Sequence, residues 1–155
     1  MGLEIQTRYA TVAFESAEAL RRFNKKLHMG SLGYMLTGKK NETVADEVGN
    51  KIDVIVEKAE AVLDCYPDDL KFKIVIRESR AGVREEFERI YRIKKECLAF
   101  YTPVENTVFY SSKNTSLQIV AHEIGHAIVE NFTVRSLSVT MQELMAQEVQ
   151  RHITE

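Results

Sequence analysis

The chain has 155 residues, a formal net charge of -2 and 45% hydrophobic residues. This length and apolar content are typical of one compact domain with a sizeable core, so a single domain is predicted over residues 1–155. Charged residues of both signs are interspersed along the chain. The sequence therefore lacks the basic face or arm with which nucleic-acid-binding proteins neutralise phosphates, and no nucleic-acid partner is expected.

The sequence also predicts no membrane association. The N-terminus is polar from its start, and no apolar run approaches the length of a membrane helix, so a cytoplasmic location is expected. Cys65 and Cys97 are the two cysteines, and they lack metal-ligand spacing. Two buried, reduced thiols are predicted for them.

The N-terminal half is predicted to contain one strand and two helices. Residues 8–14 alternate and are rich in strand-forming residues, which predicts a strand. Ser16 is a candidate N-cap for a helix that ends near Leu27. The glycine-punctuated residues 29–38 are predicted to form a flexible loop or a short irregular hairpin. Residues 43–64 carry apolar side chains at helical spacing and form the longest predicted helix.

The C-terminal half alternates between strand and helix patterns. The predicted elements are strands at residues 71–78, 97–102 and 107–111, and helices at residues 83–93, 117–131 and 140–153. The strands at 97–102 and 107–111 are expected to form a hairpin. Thr115 and Gln118 form a T-x-x-Q capping box that marks the start of the helix at 117–131.

An H-E-x-x-H motif lies in the predicted helix at 117–131, with His122, Glu123 and His126 as its defining residues. Residues four apart share one face of a helix, so both imidazoles can form two corners of a tetrahedral zinc site. Glu123 then lies beside the open position, where water would be activated. The helix also has a core-facing stripe on its opposite side, formed by Leu117, Val120, Ala121, Ile124 and Ile128. A zinc-dependent peptidase, or a relative that has kept the site, is predicted.

The order of a sheet, an H-E-x-x-H helix, a loop and a second helix over residues 71–155 resembles the minimal core of the zincin metallopeptidases. The resemblance implies an α+β fold, in which a small mixed sheet packs on helices and a C-terminal helix bears a glutamate. It also implies an edge strand that pairs with extended substrate, and residues 107–111 are expected in that place. Residues 1–40 form a strand-helix-loop extension that the resemblance does not cover.

A catalytic zinc requires a third protein ligand, for which the downstream candidates are Glu130, Glu143, Glu148 and His152. Glu130 is one turn past His126 on the same helix, too far along the axis for a shared tetrahedral ion. A third histidine in the metzincin position is excluded, because Phe132 stands there.

The sequence Glu143-Leu144-Met145-Ala146-Gln147 resembles the E-x-x-A pattern of gluzincins, the zincin branch in which a glutamate of the second helix completes the site. The stretch through His152 is similar to the corresponding helix of the lethal factor catalytic domain and of short single-domain gluzincins. The resemblance implies Glu143 as the third ligand of one zinc ion. Alternatively, Glu143 closes a capping box with Thr140, and Glu148 or His152 is the ligand.

The mechanism that the resemblance implies is zinc-assisted hydrolysis of a peptide or protein substrate. Zinc acidifies water and polarises the scissile carbonyl, while Glu123 accepts the proton and passes it to the leaving amine. Tyr110 and His152 are candidates to stabilise the oxyanion, with a packing tyrosine and a surface histidine as the alternatives. Gln147 is a candidate to orient the Glu143 carboxylate.

A catalytically latent or degenerate zincin that acts as a protein-binding or regulatory module is the alternative function. The motivation is the glycine-punctuated loop at residues 29–38, which could act as a lid or as a pro-segment that fills the cleft. This alternative predicts that deletion of residues 1–38 raises activity.

Overall fold

The computed structural model describes residues 3–132 and 137–155. Over these residues the elements are, in chain order, β1 Glu4–Gln6, β2 Ala10–Phe14, α1 Ala17–Lys26, a 3-10 helix Gly30–Leu36, α2 Val44–Leu63, β3 Phe72–Arg77, α3 Arg80–Tyr91, β4 Ala99–Thr102, β5 Thr107–Ser111, α4 Leu117–Phe132 and α5 Val139–His152. Most predicted elements are therefore present with boundaries shifted by a few residues. Strand β1 was not predicted, because an alternation of only three residues is too short to be recognised as a strand signal.

The strands form one mixed sheet in the order β1-β2-β3-β5-β4. Strands β2, β3 and β5 are parallel neighbours, whereas β1 and β4 pair antiparallel at the two edges. This arrangement of a mixed sheet with helices confirms the predicted α+β class. Among the described residues, none of the helices combines the length and apolarity that crossing a bilayer requires.

The predicted edge strand was wrong. Residues Thr107–Ser111 form β5, which lies between β3 and β4 and is buried along its whole length. The edge beside the H-E-x-x-H helix is β4, Ala99–Thr102. A hairpin fixes that two strands are neighbours, but it does not decide which of them meets the rest of the sheet. The burial of both faces of β5 is typical of an interior strand.

The two faces of the sheet are covered by different helices. Val12, Ile74 and Val108 point into the main core, which also contains buried residues of α1, α2, α4 and α5. The alternating residues Val75 and Phe109 point to the other face, where they pack with α3. Helix α4 therefore lies on the main-core face, and α3 lies on the opposite face.

The N-terminal segment, predicted as an extension of the zincin core, is part of the sheet and of the main core. Strand β2 pairs with β3 in parallel, and Phe23 of α1 is fully buried. The loop or hairpin predicted at residues 29–38 is instead a 3-10 helix, Gly30–Leu36. Leu32 is buried in the main core and anchors this turn, while Gly30 adopts the positive φ of 54° with which the turn begins.

The N-cap predicted for α1 is present in the structure, whereas the one predicted for α4 is not. Ser16 caps α1 as predicted, since its side chain accepts a hydrogen bond from the Ala19 backbone N–H. The predicted Thr115 capping box was wrong: Ser116 Oγ accepts from the Ile119 N–H at the start of α4, whereas Thr115 Oγ1 has no hydrogen-bond partner among the described residues.

The two cysteines are free thiols. Cys65 is buried and Cys97 is half-buried. Burial raises the pKa of each thiol above its ordinary value, which keeps both in the less reactive protonated form.

Candidate metal centre

Helices α4 and α5 approach each other closely at Gly125, inside the H-E-x-x-H motif. A Cβ atom on Gly125 would lie 3.2 Å from Cγ2 of Val149 and 3.3 Å from Cα of Ala146. Both of these α5 residues are fully buried. The absence of a side chain at Gly125 and the small one at Ala146 therefore let the two helices bring their polar residues together.

The structure brings together His122, His126 and Glu143, as predicted. Nε2 of His122 lies 2.6 Å from Oε1 of Glu143, and Nε2 of His126 lies 3.7 Å from Oε2 of the same carboxylate. One ligand atom from each of the three residues lies within 4.8 Å of the other two. Two imidazole nitrogens and one carboxylate oxygen thus form a group that could hold a metal ion.

Each histidine ring contacts a glutamine of α5 through Nδ1, the ring nitrogen that does not face Glu143. Oε1 of Gln150 lies 2.8 Å from Nδ1 of His122, and Oε1 of Gln142 lies 3.3 Å from Nδ1 of His126. Gln142 also donates from Nε2 to Glu130, at 2.8 Å, which fixes the orientation of its amide. When the imidazole proton lies on Nδ1, each amide oxygen accepts it, and Nε2 keeps the lone pair that a metal ion beside Glu143 would require.

Sequence reasoning missed both glutamines. Gln150 follows Glu143 by two helical turns and therefore lies on the same face of α5, whereas Gln142 immediately precedes Glu143 and lies about 100° around the helix. That spacing was the available signal. Gln147, the predicted partner of Glu143, is exposed and lines a groove that also contains Gln118 and Gln150, and no hydrogen bond joins it to Glu143 in the described chain.

The start of α5 decides between two predicted roles of Glu143. Ser138 is the N-cap, and its Oγ accepts a hydrogen bond from the Met141 backbone N–H at 3.1 Å. Helix α5 therefore begins at Val139, and Glu143 lies in its second turn. The alternative in which Thr140 and Glu143 form a capping box was wrong, because the helix begins earlier than predicted.

The other predicted ligand candidates lie away from this group. Glu148 forms ion pairs with Arg151 and His152 near the end of α5. His152 also contacts Glu155. Neither Glu148 nor His152 lines the cleft beside the histidines, so His152 is not placed to stabilise an oxyanion there.

Tyr110 is a packing residue. Its side chain is fully buried, and its hydroxyl donates to the Val120 backbone carbonyl at 2.7 Å. The predicted placement of Tyr110 on an edge strand followed from the wrong order of β4 and β5. Its hydroxyl instead ties β5 to α4 inside the core.

Glu123 lies in the same cleft without being one of the three grouped residues. Burial raises the pKa of its carboxyl to about 7, and the negative charge of Glu143 acts in the same direction. The positive charge that His122 can carry and the Tyr101 backbone N–H favour the carboxylate and oppose this rise. Burial lowers the pKa of His126, which favours the neutral imidazole that binds metals.

The group opens into a cleft of about 380 Å³ between α4, α5, β4 and α3. Ala99, Phe100 and Tyr101 of the edge strand form one wall, and Phe87 and Tyr91 of α3 extend it. None of the described residues 3–40 lines this cleft. The N-terminal segment is therefore not placed as a lid over the candidate site.

No family model matches the chain. The comparisons with curated proteins and with solved structures also gave no match. The chemistry of the grouped residues is therefore the ground on which a function can be assigned.

The donor types of the group, and less closely their spacing, fit a zinc ion. Tetrahedral zinc with bonds of about 2.0–2.2 Å places neighbouring ligand atoms about 3.3–3.6 Å apart. Of the two distances to the Glu143 carboxylate, the 3.7 Å from His126 Nε2 is close to this range, whereas the 2.6 Å from His122 Nε2 is shorter and is a hydrogen-bond distance. Two imidazole nitrogens and one carboxylate oxygen are donor types that zinc accepts, so the residues present fit this ion by their chemistry.

Proposed function

We propose that this protein is a zinc-dependent metallopeptidase, in which His122, His126 and Glu143 hold one zinc ion and Glu123 is the general base. One observation carries the proposal. Three ligand atoms from two helices converge at a cleft, and a fourth residue, the half-buried Glu123, faces the same cleft outside the ligand group.

The different positions of the two glutamates support hydrolysis: Glu143 belongs to the ligand group, and Glu123 lies beside it in the same cleft. When bound, zinc supplies Lewis acidity and makes water more acidic. Glu123 accepts the proton of the attacking water and later donates it to the leaving amine. Because burial brings the pKa of Glu123 to about 7, its carboxyl can both accept and donate a proton near neutral pH.

The edge strand supports a peptide as the substrate. In the described part of the chain, strand β4 pairs with β5 alone, and its other side faces the cleft. An exposed edge offers backbone N–H and C=O groups to an extended chain, which can bind there as an added strand. An extended peptide bound along Ala99 would pass beside Glu123, with which the Tyr101 backbone N–H already interacts, and beside the ligand group.

Two measurements test the proposal together. Metal analysis of the purified protein is expected to give about one equivalent of zinc, rather than the iron that two histidines and a carboxylate can also bind. The wild-type protein is expected to cleave members of a broad peptide library. Glu123→Gln should retain zinc and the wild-type melting temperature, but lose cleavage by a factor of about 10² or more.

Glu148→Gln is the matched control, because it makes the same chemical change on α5 outside the cleft. It should cleave the library as the wild-type protein does. Equal cleavage by wild type and Glu123→Gln would contradict the proposal, and so would a zinc-loaded wild type that cleaves no peptide.

A further inference from the structure

Lys95 follows α3 in the chain and lines the same cleft as Glu123 and Glu143, to which it brings a positive charge. Its side chain is exposed, and in residues 3–132 and 137–155 no carboxylate lies within 4.0 Å of its ammonium. The adjacent Glu96 pairs instead with Arg84. The charge of Lys95 is therefore free to meet a ligand in the cleft.

Two aromatic side chains of α3, Phe87 and Tyr91, line the cleft together with Lys95. Phe87 and Tyr91 are one turn apart on α3, with ring centroids 4.8 Å apart, and Phe87 also packs edge-to-face on Phe100. The Tyr91 hydroxyl is already hydrogen-bonded to Thr102 Oγ1, at 2.7 Å. This surface consequently offers ring faces and no free polar group.

The ammonium of Lys95 is held against this surface. It lies 5.5 Å from the centroid of the Phe87 ring, within the range of a cation–π contact. The contact keeps the charge at the cleft wall, while its exposed side can still accept an anionic partner. Apolar area that ends in one cation is complementary to a group with an apolar stem and a terminal negative charge.

We propose that Phe87, Tyr91 and Lys95 form a subsite for a carboxylate of the peptide substrate. The apolar part of the substrate lies on the two rings, and its carboxylate pairs with Lys95 Nζ. This subsite rests on the proposed function, because it occupies the same cleft. The carboxylate can come from an acidic side chain or from the free C-terminus of the peptide.

Matched labelled peptides distinguish these sources. One series carries glutamate or glutamine at each position around a cleaved bond, and a second series carries a free or an amidated C-terminus. Cleavage is measured with the zinc-loaded wild type, Lys95→Met and Lys94→Met. Lys94 is the control, because it is also exposed but does not line this cleft. Binding is measured in parallel by fluorescence anisotropy, with Glu123→Gln present in all three proteins.

The carboxylate-bearing member of one series should be preferred about fivefold, the size expected of one partly exposed ion pair. Lys95→Met should abolish this preference, and Lys94→Met should keep it. A preference confined to the glutamate series assigns the subsite to an acidic side chain, whereas one confined to the free C-terminus assigns it to the chain end.

Three results would overturn the subsite. They are equal cleavage and binding of both peptides in every matched pair, an unchanged preference in Lys95→Met, and no binding of any peptide. Failure of the proposed function looks different. A Lys95-dependent preference in binding, without cleavage by the wild type, would reject peptidase activity and retain the subsite.

Discussion

Oε1 of Gln150 lies 2.8 Å from Nδ1 of His122, although the two residues belong to different helices. Gln142 makes the corresponding contact with His126, at 3.3 Å. Helix α5 therefore contributes Glu143 and also the two amides that orient the histidines of α4. Packing between these helices and metal binding are consequently expected to depend on each other.

Replacement of Gln150 should weaken zinc binding without unfolding the protein. Gln150→Leu removes the acceptor for the His122 Nδ1 proton, so the ring loses its fixed tautomer and orientation. Loss of such a contact typically lowers metal affinity by a factor of about 10–100. Competition with a chromophoric chelator measures the zinc dissociation constant. Gln147→Leu, the same change at an exposed position outside the cleft, should leave it unaltered, and equal affinities for both variants would contradict the role of Gln150.

Glu143 and Glu148 should respond differently to the metal. Zinc at 100 times its dissociation constant stabilises a folded protein by about 2.7 kcal/mol if it does not bind the unfolded chain. The wild type and Glu148→Ala should therefore show a clear rise in melting temperature when zinc is added to the metal-free protein. Glu143→Ala should lose most of that rise. The reverse pattern would identify Glu148 as the ligand and reject the ligand set.

The helix that carries the H-E-x-x-H motif could be predicted because its signals are local. His122 and His126 share a helix face by spacing alone, and the apolar stripe of the same helix fixes which face meets the core. Glu143 followed from the resemblance to gluzincins, and its position beside both histidines agrees with that prediction. The sequence alone therefore predicts which residues of one helix lie on the same face.

Long-range relationships could not be predicted in the same way. Residues 107–111 form a strand as expected, but their place inside the sheet depends on pairing with β3, more than 30 positions earlier. The misplaced strand also led to the wrong expectation for Tyr110. Gln150 was missed for a related reason: a glutamine is unremarkable on a helix until the crossing of α4 and α5 shows what it faces.

Glu60 should make the stability of the protein depend on pH. It is 7% exposed, and burial raises the pKa of its carboxyl above the ordinary value, with Glu57 acting in the same direction and Arg8 against it. The folded protein therefore binds this proton more tightly than the unfolded chain does. Its contribution to stability falls as the pH rises from about 4.5, the unfolded value, through the folded pKa.

Glu60→Gln should remove this dependence and raise the free energy of unfolding at pH 7 relative to wild type. Urea denaturation between pH 4 and pH 7 gives the free energy of unfolding of both proteins. Their difference is compared at each pH, because the contributions of the histidines are the same in both proteins and cancel. The exposed Glu42→Gln is the control and should follow the wild-type curve. A constant difference between Glu60→Gln and wild type across this range would contradict the assignment.

The N-terminal segment should be required for folding, because Phe23 joins it to the main core. Phe23 is fully buried, and its ring centroid lies 5.6 Å from that of Tyr110. Phe23→Ala leaves a cavity that should lower the free energy of unfolding by about 3–5 kcal/mol, whereas the exposed Arg21→Ala should change it by less than about 0.5 kcal/mol. Urea denaturation measures both.

Deletion of residues 1–38 removes β1, β2 and α1, which leaves one side of β3 unpaired and uncovers the apolar face of α2. The shortened chain should therefore lose the cooperative unfolding transition and the near-ultraviolet circular dichroism of the intact protein, and its peptide cleavage should fall. A pro-segment would give the opposite result, a folded product with higher activity. Since none of the described residues 3–40 lines the cleft, loss of the fold is the expected outcome.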